Sequence, residues 1–205
     1  MNTSKQDIIL DAAENLFAQN GFNGTTTRSI ASQAGVNIAM LSYYFGSKKQ
    51  LLHAVIERFS NRLVEVFHQI DQTKKSPTDK LRNWIEAYID YIFEHPNHAR
   101  IVYRQVSVSQ ERDDIVKLVS EFNKIRAIVL ETMENGIKSG VFNPIDTQLA
   151  ISTITAPVNA IVLESNIHKE RFGLKSENGK LFPDSFRTRV KNHMLEVFES
   201  LLVKN

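Results

Sequence analysis

Apolar residues recur every three or four positions along most of the chain, the spacing that places side chains on one face of an α-helix. The first such stripe lies between Ser4, a residue type that commonly caps a helix N-terminus, and Gly21. It consists of Ile8, Ile9, Ala12, Ala13, Leu16 and Phe17. No segment shows the strict alternation of a half-buried strand. The pattern therefore predicts an all-α protein.

Further amphipathic stripes are separated by short segments rich in Gly, Pro, Ser and Asn, which favour turns. Their helices are expected to begin at Ser47, at Ser76-Pro77, near Asn97, near Glu111, at Asn143-Pro144 and near Asp184. The helix that opens at Asn143-Pro144 should extend to about Ile167 and be bent by Pro157, and a polar loop of residues 168–182 follows it. The last helix ends near Val203.

Residues 27–44, with the sequence TRSIASQAGVNIAMLSYY, predict two short helices joined by a sharp turn. Ala31 is small enough for a second helix to cross it, and Gly35, four residues later, suits a turn that requires positive φ. Asn37 is a good N-cap for the second helix. This arrangement is typical of a helix-turn-helix, whose second helix reads DNA.

Charge supports that interpretation more than overall composition does. The 205-residue chain is 42% hydrophobic and 23% charged, with a net charge of +2. Residues 15–56 contain Arg28, Lys48 and Lys49 but no Asp or Glu, so this segment carries +3 and the remainder −1. A modest basic patch at one end of the chain suits contacts to DNA phosphates.

The N-terminal fifty or so residues resemble the DNA-binding domain of the tetracycline-repressor-like (TetR) family. The matching run is IILDAAENLFAQNGFNGTTTRSIASQAGV followed by NIAMLSYYFGSKKQLL. Its landmarks are Phe17, Gly21, Phe22, Thr25 to Thr27, Ile30, Ala31, Gly35, Val36, Tyr44, Phe45, Lys48 and Leu51. One position departs from the family pattern, because Ser42 stands where many members carry a Tyr.

The resemblance implies a two-domain transcriptional regulator, a repressor that binds a pseudopalindromic double-stranded DNA operator as a homodimer and is released by a small-molecule effector of unknown identity. Residues 1–50 form the DNA-binding domain, with a fourth helix leading onward from residue 47. Residues 51–205 form the helical domain for effector binding and dimerisation. Two alternatives are an architectural or cell-division DNA-binding protein of the same fold without an effector, and a ligand-binding protein that does not bind DNA.

Individual roles in DNA binding follow from the predicted helix-turn-helix. The outward residues of the second helix are expected to read bases, and these are Ala39, Met40, Ser42 and Tyr43. Phosphate contacts are assigned to Thr27, Arg28, Tyr44 and Lys48, with a base edge as the alternative partner of Arg28. Asn37, at the start of the second helix, completes the predicted DNA-binding set.

The last two helices carry more apolar positions than one buried stripe requires, as expected if a second copy packs against them in a four-helix bundle. The resemblance implies a dimer built in the same way. The residues predicted to form this interface are Ile154, Val158, Ile161, Val190, Met194, Val197, Phe198 and Leu201.

Aromatic residues in the middle of the chain could line an effector cavity or simply fill the core. The candidate lining is Phe59, Leu63, Trp84, Tyr88, Tyr91, Tyr103, Phe122 and Arg126. The resemblance favours a cavity somewhere among these helices. It identifies neither the lining nor the ligand.

Other functional classes find little support. His95 and His98 are separated by a proline and lack a nearby carboxylate cluster, so no metal site or other cofactor is predicted. The chain contains no catalytic motif and no cysteine, and we expect it not to be an enzyme. It shows no secretory signal and no apolar run of about 20 residues. A cytoplasmic protein without a membrane partner is expected.

Overall fold

The computed structural model describes residues 4–108, 112–177 and 179–203. This part of the chain forms ten helices: α1 (Lys5–Gly24), α2 (Thr27–Ala34), α3 (Ile38–Phe45), α4 (Lys48–Asp71), α5 (Pro77–Glu94), α6 (Pro96–Val108), α7 (Arg112–Lys138), α8 (Thr147–Leu163), α9 (Ser165–Phe172) and α10 (Asp184–Leu202). One isolated antiparallel bridge joins Phe142 to Val203. The prediction of an all-α protein is confirmed. Glu111, expected to begin α7, lies outside the described residues.

Residues adjacent in sequence determine where α1 and α5 begin. The Ser4 hydroxyl accepts a hydrogen bond from the Asp7 amide at 3.1 Å, and the Ser76 hydroxyl accepts one from the Asp79 amide at the same distance. Each serine hydroxyl thus provides a hydrogen-bond acceptor for an amide in the first turn, which has no partner within its own helix. The Ser4 cap was predicted from the sequence, and so was the start of α5 at Ser76-Pro77. α1 changes direction at Gly21, whose φ is +72°.

The chain divides into two compact units. The first comprises Met1–Asn61 and Asn97–Glu121, and the second comprises Arg62–Pro96 and Phe122–Asn205. The first unit therefore contains α1 to α3, the first half of α4, nearly all of α6 and the start of α7. α4 and α7 each contribute residues to both units.

Apolar side chains from α1 to α4 form the core of the first unit. α1 packs on α2, and α2 packs on α3. Their fully or almost fully buried residues are Ile9, Ala13, Phe17, Ile30, Ala31, Leu41, Leu51, Leu52 and Val55. Burial of each large aliphatic side chain contributes about 1.5–3 kcal/mol, so this core can hold the short α2 and α3 in place.

Polar contacts attach α6 and α4 to α1 within the first unit. The Arg104 guanidinium donates hydrogen bonds to the backbone carbonyls of Ala18 at 2.9 Å and Gln19 at 3.2 Å, near the point where α1 bends. The Arg58 guanidinium of α4 donates to Asp11 at 2.7 Å and to Glu14 at 2.9 Å.

Glu14 is the acidic centre of this cluster, because the buried His98 ring of α6 also places Nε2 3.4 Å from its carboxylate. Burial alone would raise the pKa of the Glu14 carboxyl. Hydrogen bonds and charge from His98 and Arg58 outweigh burial and lower that pKa to about 2. The carboxylate therefore joins α1 to α4 through a charged hydrogen bond from Arg58 and to α6 through its close contact with the His98 ring.

The second unit is built around α5, which packs against α8 and α10. Trp84 is buried and donates its indole N–H to the Phe67 carbonyl at 3.3 Å. Arg187 of α10 bridges Asp90 at 3.2 Å and Glu94 at 2.8 Å on α5. These contacts fix α10 on α5 and leave a second face of α10 outward.

The region around α8 and α9 differs from the sequence prediction. α8 begins at Thr147, after Asp146 caps the Leu149 amide at 3.0 Å, because the Asn143 amide instead donates to the Leu202 carbonyl at 2.8 Å. α8 ends at Leu163, and residues 165–172 form a separate helix that ends at Gly173, with φ +62°. The first five residues of the predicted loop are therefore helical. Among the described residues, no helix has the length and apolar character required to cross a bilayer.

Candidate nucleic-acid interface

Three consecutive threonines at the start of α2 have distinct structural roles. Thr25 is buried, and its hydroxyl donates to the carbonyls of Leu16 at 3.1 Å and Gly21 at 2.8 Å. Thr26 caps α2 by accepting the Ser29 amide at 3.0 Å, and the Ser29 hydroxyl accepts the Thr26 amide at 3.1 Å. This is a reciprocal capping box. Thr27 begins α2 and is half-buried.

The turn between α2 and α3 has the predicted geometry. Gly35 adopts the left-handed conformation, with φ +64° and ψ +33°, and its amide bonds back to Ala31 and Ser32. A residue with a Cβ is strained in this conformation, so glycine suits the position. The Val36 amide also bonds to the Ala31 carbonyl, at 3.0 Å. The two helices are thus connected by a short and well-defined turn.

Asn37 caps α3 as predicted, with its side-chain oxygen accepting the Ala39 amide at 3.0 Å. Leu41 is the buried residue of α3 and meets the small core that contains Ile30 and Ala31. Val36 is only half-buried. The inward face of α3 is therefore narrow, and most of this helix faces outward.

The outward face of α3 carries residues predicted to read DNA. Ala39 and Ser42 are exposed, Met40 is half-buried, and Tyr43 is 84% exposed. The Tyr43 ring meets the half-buried Tyr44 ring edge-on, with centroids 5.1 Å apart. Arg28 is exposed on α2. The surface combines small, hydroxylated and aromatic groups without acidic residues.

Lys48, at the first position of α4, is anchored to the end of α1. Its ammonium donates to the carbonyls of Phe22 at 2.9 Å and Thr25 at 2.8 Å, and lies 4.2 Å from the centre of the Phe22 ring. An ammonium group has three N–H donors, so one donor is left for a phosphate. Sequence inspection missed this anchor because its partners lie 23 and 26 residues away.

Comparison with known proteins identifies the family. The model for bacterial regulatory proteins of the tetR family matches residues 9–55, and the model for the tetracyclin repressor-like C-terminal domain matches residues 74–163. The HTH-type transcriptional repressor KstR2 of Mycolicibacterium smegmatis is 31% identical over 145 residues, which cover 69% of each chain. The chain belongs to the TetR family. It is a DNA-binding transcriptional regulator.

Solved structures of TetR-family regulators share the fold. PfmR from Thermus thermophilus superposes with a TM-score of 0.75 at 19% identity, covering 99% of this chain and 100% of that chain. FadR from Bacillus subtilis, solved in complex with stearoyl-CoA, gives 0.74 at 21% identity and covers 93% and 96%. These likenesses show that the chain shares the fold of these regulators.

The residues predicted to line an effector cavity have varied environments in this TetR-family regulator. Phe59 and Tyr103 belong to the first unit, and the other six belong to the second. Leu63, Trp84 and Tyr91 are buried. Tyr88 accepts a hydrogen bond from the Asn159 amide at 2.6 Å, and Arg126 donates to the Gln148 side chain at 2.6 Å.

The two histidines considered as metal ligands lie beside aromatic rings. His95 lies 4.6 Å from the ring centre of Tyr91, and His98 lies 4.1 Å from that of Phe59. Among the residues that the structure describes, no three His, Asp or Glu side chains are grouped to hold a metal ion.

Most residues predicted at the dimer interface already pack inside the chain. Five of the eight are buried by their own chain, and these are Ile154, Val158, Val190, Met194 and Phe198. Ile161 and Val197 are half-buried, and Leu201 is 36% exposed. The outward face of α8 instead presents Leu149, which is 66% exposed.

Proposed function

We propose that this TetR-family regulator is a repressor that binds a pseudopalindromic operator as a homodimer and releases it when a small molecule binds. The observation that carries the proposal is the outward face of α3, where Tyr43 is 84% exposed within a segment, residues 15–56, that contains no acidic residue. A face of this kind suits entry into the major groove of a polyanion. The proposed role is exerted in the cytoplasm and involves no catalysis.

The proposed DNA contacts divide into two groups. Base edges are read by outward residues of α3, and these are Ala39, Met40, Ser42 and Tyr43. Phosphates are bound by Thr27, Arg28, Tyr44 and the remaining donor of Lys48, near the start of α3 capped by Asn37. Phosphate contacts determine position and orientation, whereas base contacts supply sequence preference.

We propose that residues 1–50 bind DNA and that residues 51–205 bind the effector and form the dimer. Dimerisation through α8 and α10 is supported by exposed apolar groups on both helices, notably Leu149 and Leu201. The buried members of the predicted interface would support this face from beneath, because they hold α8 and α10 against the core of the same chain.

Geometry relates the dimer to release from DNA. Two α3 helices can occupy successive major grooves only when their separation is about 34–36 Å or a multiple of one helical turn. An effector that binds more tightly to a dimer with another separation would lower the affinity for DNA by linkage. We propose that it contacts some of the eight candidate residues, with Tyr88 and Arg126 as polar members.

The direct test is DNA binding by wild-type protein and a Tyr43→Ala variant. Duplexes would come from the DNA flanking the coding region or from selection on random DNA, and fluorescence anisotropy would be measured at about 50 and 200 mM salt. We expect tight, salt-sensitive binding that the variant weakens about tenfold or more on the selected sequence. Its binding to unrelated DNA should change little.

The matched control is Phe172→Ala, which removes a partly exposed aromatic ring from α9. Its affinity for the selected duplex should stay within about twofold of wild type. Equal loss in both variants, or no selective binding to any duplex from either source, would overturn the assignment of α3 as the DNA-reading helix.

A further inference from the structure

A small polar cavity opens in the second unit where the end of α4, the turn to α5 and the later part of α7 come together. Its volume is about 270 Å³, and its polar lining comprises Asp71, Lys75, Lys80, Glu131, Thr132 and Asn135. None of the eight residues predicted to line an effector site takes part. The size lies just below the range of about 300–1,000 Å³ that is usual for drug-sized ligands. It suits a smaller metabolite.

Thr132 is the buried polar group of this cavity. The residue is only 7% exposed, and no hydrogen bond to its hydroxyl is found within the described part of the chain. The Thr132 hydroxyl is not among the fully enclosed unpaired atoms of the described residues, so it borders the cavity and is open to a ligand. Such a group on a cavity wall is the feature expected of a site that is completed by a ligand.

The charges in the lining are divided between a satisfied pair and two groups without an ion pair. The Lys80 ammonium donates to the Asp71 carbonyl at 2.5 Å and to the Asp71 carboxylate at 3.0 Å. Across the described residues, neither Lys75 nor Glu131 forms a salt bridge, although both line the cavity. The Lys75 ammonium and the Glu131 carboxylate are therefore available to bind groups of opposite charge on a ligand.

We propose that this cavity binds a small zwitterion that carries one carboxylate and one ammonium group, the chemistry of free amino acids and ω-amino acids. The ligand carboxylate faces Lys75 and its ammonium faces Glu131. The Thr132 hydroxyl and the exposed Asn135 amide supply neutral hydrogen bonds between these two ends. A ligand with a single charge would leave either the Lys75 ammonium or the Glu131 carboxylate without a partner. Opposite charges on one molecule therefore fit the lining best.

The site goes beyond the proposed DNA-binding role and does not depend on it. Its lining includes the end of α4, and α4 also contributes residues to the first unit. If the zwitterion changes the affinity for DNA, then DNA must change the affinity for the zwitterion by the same factor. Binding to the free protein is the property tested first.

The test is isothermal titration of the full chain with glycine, 4-aminobutyrate and 6-aminohexanoate, beside butyrate and butylamine. At least one zwitterion should bind saturably and about tenfold more tightly than either singly charged compound. Thr132→Val should weaken this binding about three- to tenfold and Glu131→Gln about tenfold or more. The controls Thr188→Val and Glu134→Gln should remain within about twofold.

Thermal unfolding gives an independent readout for Thr132→Val. Because the variant keeps the side-chain shape and removes a hydroxyl that water can solvate in the ligand-free cavity, we expect the ligand-free protein to melt within about 2 °C of wild type. The proposal is overturned if none of the three zwitterions saturates up to about 20 mM, if butyrate binds as tightly, or if Thr132→Val leaves the affinity unchanged. Each of these failures leaves the DNA-binding proposal standing.

Discussion

Tyr43 shows at the scale of one residue how the surface of α3 departs from that of an ordinary helix. Its ring is 84% exposed and gains only an edge contact with Tyr44 in the free protein. Aromatic rings obtain most of their stabilising energy from burial. A DNA groove would supply that burial and also a partner for the hydroxyl group.

Lys48 is expected to contribute both to the stability of the fold and to the electrostatic attraction for DNA, and one substitution can measure both contributions. Lys48→Met keeps the aliphatic stem but removes the ammonium from two carbonyls and the Phe22 ring. We expect the free energy of unfolding to fall by about 1–2 kcal/mol, measured by urea denaturation. The slope of log affinity against log salt should also shrink by about 0.9 for each chain, because one phosphate contact is lost.

The matched control for this experiment is Lys49→Met, at the next position of α4. It removes the same charge while the anchor to Phe22 and Thr25 remains intact, so stability should change by less than about 0.5 kcal/mol. A Lys48→Met variant that loses stability but keeps the wild-type salt slope would show that Lys48 only positions the turn before α2.

At the scale of helices, the sequence predicted elements whose signals are local. A cap acts within three or four residues, so Ser4, Asn37 and Ser76 could be recognised next to the helices that they begin. Gly35 was equally local, because positive φ is a property of one residue. α9 was missed because its eight residues are mostly polar and form no apolar stripe. Its existence depends on packing that periodicity does not reveal.

The residues of the candidate site likewise divide into those that local sequence could predict and those that depend on tertiary contacts. Exposure of Tyr43 follows from its position on the outer side of a short amphipathic helix, whereas the Lys48 anchor depends on tertiary contacts. Apolar periodicity likewise locates the inner face of a helix but does not name what covers it. Ile154 and Phe198 were therefore predicted at the dimer interface, and their burial by their own chain could not be read from this pattern.

Glu14 makes the packing of α1, α4 and α6 sensitive to acid. The pKa of the Glu14 carboxyl falls from 4.5 to about 2 in the folded protein. Between these two pH values the folded state therefore binds fewer protons than the unfolded state. The resulting stability is complete above about pH 4.5 and disappears as the pH falls towards 2. Glu14→Gln should therefore lower stability at pH 7, by at most about 3 kcal/mol.

The measurement is urea denaturation of wild type and Glu14→Gln at several values of pH. The difference between them should shrink as the pH drops from about 4.5 to 2, because wild-type Glu14 becomes protonated there. Asp7→Asn, an exposed acidic change on α1, is the control and should show a smaller difference. A constant gap between wild type and Glu14→Gln would refute the assigned pKa.

At the scale of the whole molecule, the proposed function requires two chains. One α3 offers few base contacts, and each good contact contributes only about 1–3 kcal/mol of discrimination. Pairing two copies doubles the contacts and adds a requirement for spacing. Leu149 and Leu201 provide exposed apolar area on α8 and α10 for such pairing.

The most direct measurement combines stoichiometry with operator spacing. A duplex selected by the protein would be compared with one in which about 5 base pairs, half a helical turn, are inserted between the half-sites. We predict two chains on the selected duplex and at least about a hundredfold loss of affinity after the insertion, because the second α3 then faces the wrong side of the DNA. One chain per duplex, or unchanged affinity after the insertion, would contradict the dimeric regulator.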